Sequence, residues 1–438
     1  MRIMHVLRRP AMALPDAGAV GQARMQAWCC GVLVFVAYAG LLTQRGWVGP
    51  GTLLAVMALI GFGLFLRCRD LDRDEAVLML SFAVLPVYYL FNLMVTGWDS
   101  TQLDKPLRML LAIPVVYLIS RWGLSSVWLV LGVVCGAVTA AALAAHQVWI
   151  LGIGRADGVM NAIPFGSFAL LLASFAAAGW VCLPGARTAA MAVGTLVAIL
   201  AGLTAAVLSG TRGVWLAAPV LLGLLAWAGG LPAREIFRVA GLCSLVALVV
   251  VGLHPRSREE IDGVLALLGL GLEDQAGMVL SSTGVRLHLY RVALEAFASQ
   301  PVLGIGLAGL PTYLQAGVEA GWINPAVTEF THLHSAPLDM LARGGLLGLI
   351  ALGLLLWGLG AHFARGVRQA ADDPQMRYFA LCGLMATVGA LLFALTNVFF
   401  PAIVGTHVLV LSLAVPAGGM RWRQRARRTA QEAVDGGA

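Results

Sequence analysis

Residues 126–150 read SVWLVLGVVCGAVTAAALAAHQVWI, twenty-five positions without one Asp, Glu, Lys or Arg. A helix rises about 1.5 Å per residue, and about 20 apolar residues cross the ~30 Å hydrocarbon layer of a bilayer. This stretch is therefore expected to be a membrane-spanning helix. The same reading applies to apolar runs at 27–43, 48–66, 76–97, 107–120, 164–182, 189–208, 214–229, 239–253, 346–363, 378–396 and 401–416. The expected fold is an all-α integral membrane protein with about 12 transmembrane helices.

Composition agrees. The 438 residues are 60% hydrophobic and 12% charged, where a soluble domain carries about 25% charged residues. Such a chain needs lipid as its solvent, because in water its surface would be apolar. A net charge of +7 is explained by topology, so no nucleic-acid partner is expected. The seven cysteines show neither a disulfide framework nor metal-ligand spacing. No P-loop, HExxH or dinucleotide fingerprint occurs, so no cofactor is expected, and the first apolar run lacks a signal-peptide cleavage site.

Twelve spans place both termini on one side. With that side cytoplasmic, nineteen of the 29 basic residues lie inside, as the positive-inside bias requires. The basic tail, Arg421 to Arg428, reads as an anchor for anionic lipid headgroups. Three parts are expected: an N-terminal membrane domain over 1–253, a helical periplasmic segment over 254–345 between the ninth and tenth spans, and C-terminal spans with a basic cytoplasmic tail over 346–438. Within the polar segment, Ile261, Val264, Leu265 and Leu268 have the spacing of an amphipathic surface helix. A second helix is predicted from about Val285 to Ser299, ending at Pro301. The stretch GIGLAGLP reads as a turn-rich loop. A third helix should start after THLHS, with Pro337 in its first turn, and run on into the span near Leu346.

Three sites at the outer boundary stand out: SGTRGVW with Arg212, STGVRLHLYR with Arg286 and Arg291, and THLHSAPLDML with His332 and His334. Guanidinium groups bind phosphate oxygens bidentately and stay charged, so they suit a lipid diphosphate and the charge that develops on it as a leaving group. A histidine suits removal of a proton from an attacking hydroxyl. The ordinary alternatives are an arginine that snorkels at a span end and a solvated charge on a helix, which fits Arg291 better than Arg286. The two differ by about 140° of rotation. His332 and His334 lack further ligands at metal-site spacing; one is expected to work and the other to be structural.

SGTRGVWLA (209–217) resembles the S-x-x-R-G-x-W stretch of the O-antigen ligase and polymerase superfamily. RLHLYRVALEAFASQPVLGIGLAG (286–309) resembles that superfamily's R…W…A…P…G-x-G segment, with Tyr290 nearest the place of the Trp, and HSAPLDMLARGGLLGL (334–349) its H-N-x-x-L…G-x-x-G stretch. RADGVMNAIPFG (155–166), with Arg155 and Asn161, is a fourth match. The resemblance implies a GT-C-like, metal-independent, inverting glycosyltransferase of the inner membrane, acting at the periplasmic face in lipopolysaccharide maturation. Its donor would be an undecaprenyl-diphosphate-linked glycan and its acceptor lipid A–core. Arg212 and Arg286 match the family's donor-diphosphate arginines, with Arg291 as further support, and His334 matches its essential histidine. Ser335 stands where Asn is usual, and Arg343 where an acidic residue is frequent. An O-antigen polymerase or a protein O-oligosaccharyltransferase would share the donor chemistry. A lipid-linked glycan transporter or flippase is the alternative of another class; it would usually carry ionisable residues near the membrane midplane, and these spans are nearly charge-free.

Overall fold

A computed structural model describes residues 17–44, 49–183, 188–211, 213–232, 234–235, 237–238, 241, 282–370, 372–398 and 403–435. Among these no strand occurs. The helices are α1 (Ala17–Ala39), α2 (Pro50–Cys68), α3 (Arg73–Thr96), α4 (Asp104–Leu107), α5 (Ala112–Trp122), α6 (Ser126–Ala145), α7 (Ala162–Cys182), α8 (Ala189–Leu208) and α9 (Gly213–Ala228). They continue with α10 (Ser282–Ser299), α11 (Leu310–Glu319), α12 (Ala336–Gln369), α13 (Pro374–Ala394) and α14 (Ile403–Asp435).

Among the described residues, eight helices are long and apolar enough to cross a membrane: α2, α3, α6 with its continuation to Ile150, α7, α8, α12, α13 and α14. The chain is a multi-pass membrane protein. The other four runs differ in kind. Gln22, Arg24 and Gln26 make the first half of α1 polar. The 107–120 run is a helical path broken into α4, a 3-10 turn at Arg108–Leu111 and α5. α9 is only 16 residues long, and 239–253 lies outside the described residues, as does the amphipathic segment read from Ile261 to Leu268.

Helix ends follow their local sequence. Asp72 and Glu75 form a reciprocal capping box at the start of α3, which satisfies two otherwise unpaired backbone donors. Pro50 opens α2 and Pro374 opens α13, where a missing N–H costs nothing. α7, α13 and α14 form the buried interior, while α2 and α8 are peripheral. Small residues permit the close crossings: a Cβ on Gly136 of α6 would meet the Tyr38 carbonyl oxygen of α1 at 2.2 Å.

The two ends of the bundle differ. α3 has 24 residues, about 36 Å at 1.5 Å each. Beside its first turn lie Asp70, Asp72, Asp74 and Glu75, paired with Arg121, Arg421, Arg425 and Arg428. The tail read as a lipid anchor thus continues α14 as a helix and clamps onto the α2–α3 corner. Glu75 and Arg421 are almost wholly buried there.

At the opposite end of α3, Asn92 accepts from the Leu307 N–H (3.0 Å) and donates to the Leu303 carbonyl (2.9 Å). It thereby holds the 301–309 loop. α10 begins at Ser282, three residues before the expected start, and α12 starts with Ala336 and Pro337 as read from sequence. α10 and α12 pack together. Leu289, Val292, Ala293 and Ala296 of α10 join Leu310, Leu314, Leu333 and Ala342 in a small core separate from that of the bundle.

Candidate active site

α12 is kinked at Gly345 (φ 61°, ψ −162°), and the 301–305 loop fills the kink. Leu346 N–H donates to the Pro301 carbonyl at 2.8 Å, Leu347 to Val302 at 3.3 Å, and Ile305 to Ala342 at 3.0 Å. Gly304 (φ 68°) lies against this corner: a Cβ there would come 2.6 Å from the Gly345 nitrogen. Only glycine has both the backbone freedom and the missing side chain for such an approach. The glycines of GIGLAG and ARGG thus bolt the end of α10 to the start of α12, and with it Arg286 to the histidine loop.

Between Phe330 and α12 the chain carries His332, Leu333 and His334. Leu333 is buried in the small core, and its N–H donates to Asp339 Oδ1 (3.0 Å). The other Asp339 oxygen faces Arg343 Nη1 at 3.3 Å. Arg343 in turn donates to the Leu307 carbonyl and to Gln102 Oε1. Ser335 is buried and takes the N-cap position without a side-chain capping bond. Ala336 N–H donates to the Asn397 carbonyl at 2.8 Å.

His334 has φ 54°, a left-handed conformation that costs a non-glycine residue about 1–3 kcal/mol. Its Nδ1 is buried without a hydrogen-bond partner, a further cost of about 1–3 kcal/mol. Its ring meets Phe330 edge-on at 5.1 Å and His332 at 4.5 Å between centroids. Burial, then the neighbouring His332 and the Arg286 charge, hold its pKa down to about 4, with Asp339 opposing. His332 is also lowered, by burial and by Lys105 and Arg343, again with Asp339 opposing. His334 is therefore neutral at neutral pH, the state a base requires, and its buried Nδ1 is left without a partner.

The two arginines of α10 separate. Arg286 is half-buried and acts on His334. Arg291 is exposed and acts on His288, whose pKa it lowers after burial does. The buried His288 ring accepts at Nε2 from the Asn324 N–H (3.3 Å), so it fixes the 320s loop.

Arg212 lies outside the described residues; its approach does not. Ser209 and Thr211 bond to each other (2.9 Å), and Thr211 Oγ1 donates to the Ala162 carbonyl (2.8 Å). Arg155 Nε donates to the Ser209 carbonyl (2.9 Å). Asn161 caps α7 through the Ile163 N–H. Arg155 and Asn161 thus build the loop leading into position 212. Gln147 sets that neighbourhood through four hydrogen bonds with Asp157 and Gly158. A Cβ on Gly213 would fall 2.6 Å from Thr396 Oγ1, next to the Asn397 that holds Ala336. The structure therefore brings Gly213, at the start of α9, close to the segment that holds the start of α12.

Sequence reasoning missed Asp339, Gln102, Asn92 and Gln147. The signal for Asp339 was present: an acid four residues before Arg343 and five after His334. Asp99 and Asp104, between α3 and α5, are engaged separately. Asp99 caps a 3-10 turn through Thr101 and Gln102, and Asp104 pairs with Arg108.

Residues 196–353 match the O-antigen ligase family. That range contains the 209–213 loop, α10, the glycine bolt and the histidine loop. This part of the chain is similar to the O-antigen ligase family. It is 22% identical over 321 residues to an uncharacterized protein of Haemophilus influenzae, an alignment covering 72% of this chain and 79% of that one. The match, on a chain with several apolar membrane-length helices, supports a membrane enzyme of the O-antigen ligase/polymerase type.

Proposed function

We propose that this enzyme is an O-antigen ligase of GT-C-like architecture, transferring glycan from undecaprenyl diphosphate to lipid A–core, without a metal, at the periplasmic face of the inner membrane. The observation that carries the reading is His334: strained, neutral, with a buried unpaired ring nitrogen, and within the field of Arg286. His334 takes the proton of the acceptor hydroxyl as its oxygen attacks the anomeric carbon. The bond from that carbon to the phosphate oxygen breaks, and undecaprenyl diphosphate leaves with the electron pair. Attack opposite the leaving group inverts the anomeric centre. Arg286 and Arg212 hold the diphosphate and stabilise its growing charge, while Arg291 contributes only a remote field.

Two features support the orientation, with both termini in the cytoplasm. The positive-inside count assigns Arg121 and Arg421 to Arg428 to one side, and the structure gathers Arg121, Arg421, Arg425 and Arg428 at one end of α3. The same count assigns Lys105, Arg155, Arg286 and Arg343 to the other side. The 254–345 segment would then be periplasmic, between membrane parts at 1–253 and 346–438.

The test is transfer by purified protein from undecaprenyl-diphosphate glycan to lipid A–core with chelator present, alongside Arg212→Gln, Arg286→Gln and His334→Asn. Glycan on lipid A–core, lost in all three variants, is the expected result. A donor glycan that lengthens while lipid A–core stays unmodified would make the enzyme a polymerase. Turnover with neither product would remove the transferase reading.

A further inference from the structure

A cavity of about 360 Å³ opens between α3, the Thr101–Pro106 segment and the start of α12. Its polar wall includes Gln102, Lys105, His332 and Asp339. Nearly every polar group there already has a partner. Asp339 holds the Leu333 N–H and Arg343. Gln102 accepts from Arg343 and donates to Asp99. Lys105 is the exception: it is half-buried, and no hydrogen bond or ion pair engages it among the described residues. One uncompensated cation thus faces a cavity large enough for a sugar-sized group.

Its position is informative. His332 lines the cavity, and its ring stands 4.5 Å from that of His334. The Lys105 charge acts on His332, whereas the Arg286 charge acts on His334. The histidine pair therefore has one ring, His332, in the cavity wall with Lys105, and the other, His334, within the field of Arg286. In an inverting transfer the acceptor hydroxyl lies between the base and the anomeric carbon, with the leaving diphosphate beyond, so the acceptor saccharide must lie beside the base, and Arg286 is already assigned to the donor diphosphate.

We infer that the Lys105 cavity is the subsite for the acceptor saccharide, and that it selects an acceptor bearing an anionic substituent, a sugar phosphate or a sugar-acid carboxylate, by pairing it with Lys105. This rests on the transferase reading above. The anion-binding chemistry is shared with the donor diphosphate, so the test separates the two sources and does not depend on turnover.

Full-length protein in lipid nanodiscs would be titrated calorimetrically with three probes: deacylated phosphorylated core oligosaccharide, the same oligosaccharide after dephosphorylation, and farnesyl diphosphate as a donor mimic. Wild type, Lys105→Gln and Lys105→Arg would be compared. Lys105→Gln should bind the phosphorylated oligosaccharide about tenfold more weakly, equivalent to about 1.4 kcal/mol. Lys105→Arg should retain most of the affinity. The dephosphorylated probe should bind wild type and Lys105→Gln alike, and farnesyl diphosphate should be unaffected. Because Lys105 holds no partner, thermal stability should not change. Equal affinity of wild type and Lys105→Gln for the phosphorylated probe, no binding of that probe to wild type, or a loss confined to farnesyl diphosphate would each overturn the inference. Absence of glycan transfer, by contrast, would count against the transferase reading and leave this binding result standing.

Discussion

Gly345→Ala tests whether the site depends on the bolt between α10 and α12. The backbone there (φ 61°, ψ −162°) lies in a region open essentially to glycine alone, at about 1–3 kcal/mol for another residue. The added methyl would also stand 2.4 Å from the Val302 carbonyl carbon and oxygen and 2.6 Å from the Gly304 nitrogen. These are backbone atoms, so relief requires the 301–305 loop to move. That movement breaks the bonds from Leu346, Leu347 and Ile305, at about 1 kcal/mol each. The local loss is then about 4–6 kcal/mol. The bundle core is separate from the small core of α10 and α11, so the membrane portion should stay folded. A misplacement of about 1 Å between Arg286 and His334 would cost about 100-fold in rate. The assay is transfer rate together with hydrogen exchange at the Ile305 and Leu346 amides, with Gly353→Ala as control, since a Cβ at Gly353 meets nothing within 4 Å. Wild-type rate with wild-type protection in Gly345→Ala would refute the argument.

His334→Asn should leave stability equal or raised by about 1 kcal/mol, because Asn tolerates the left-handed conformation better, while transfer falls by about 10²–10⁴; thermal unfolding and initial rates would check both. With its pKa held near 4, His334 stays neutral as pH falls from 7, so kcat/KM for the donor should stay level to about pH 5 and then drop as the base is protonated. Arg286→Gln removes one charge that holds this pKa down, so the residual activity should lose its acidic limb at higher pH; an unmoved limb would mean that His334 does not titrate in the profile. Glu75→Ala leaves Arg121 and the buried Arg421 without their shared carboxylate, and should destabilise by about 3–5 kcal/mol. Arg428→Ala removes an exposed pair and should change stability by about 0–1 kcal/mol, both read by thermal unfolding in one detergent.

The helices were legible because a bilayer demands long apolar runs, and the stop at Pro301 and the position of Pro337 placed the end of α10 and the start of α12 to within a few residues. Pairings across the chain were not legible. Arg421 and Asp72 are 349 positions apart, and a charge at a span end looks the same whether it meets a headgroup or a carboxylate. Asn92 was hidden as one amide in an apolar run, yet it holds two backbone groups of the 301–309 loop.

Motif residues and site residues also divide along a physical line. His334, Arg286 and the glycines were visible because their chemistry or their lack of a side chain is distinctive at one position. Asp339 was not, because its role exists only through its two partners. One oxygen fixes the amide between the two histidines, and the other fixes Arg343, which reaches Gln102 beside Lys105. Arg343 stands where the resembled superfamily often has an acid, and here the acid occurs one turn earlier. The carboxylate and its cation therefore form an internal pair (side chains about 10% exposed) instead of leaving a negative charge on the wall. An acid at position 343 would face Lys105 across Gln102 and weaken its field. Among the described residues, the internal pair leaves Lys105 as the one uncompensated charge lining that cavity, so the departure from the family pattern and the proposed preference for an anionic acceptor have a single cause.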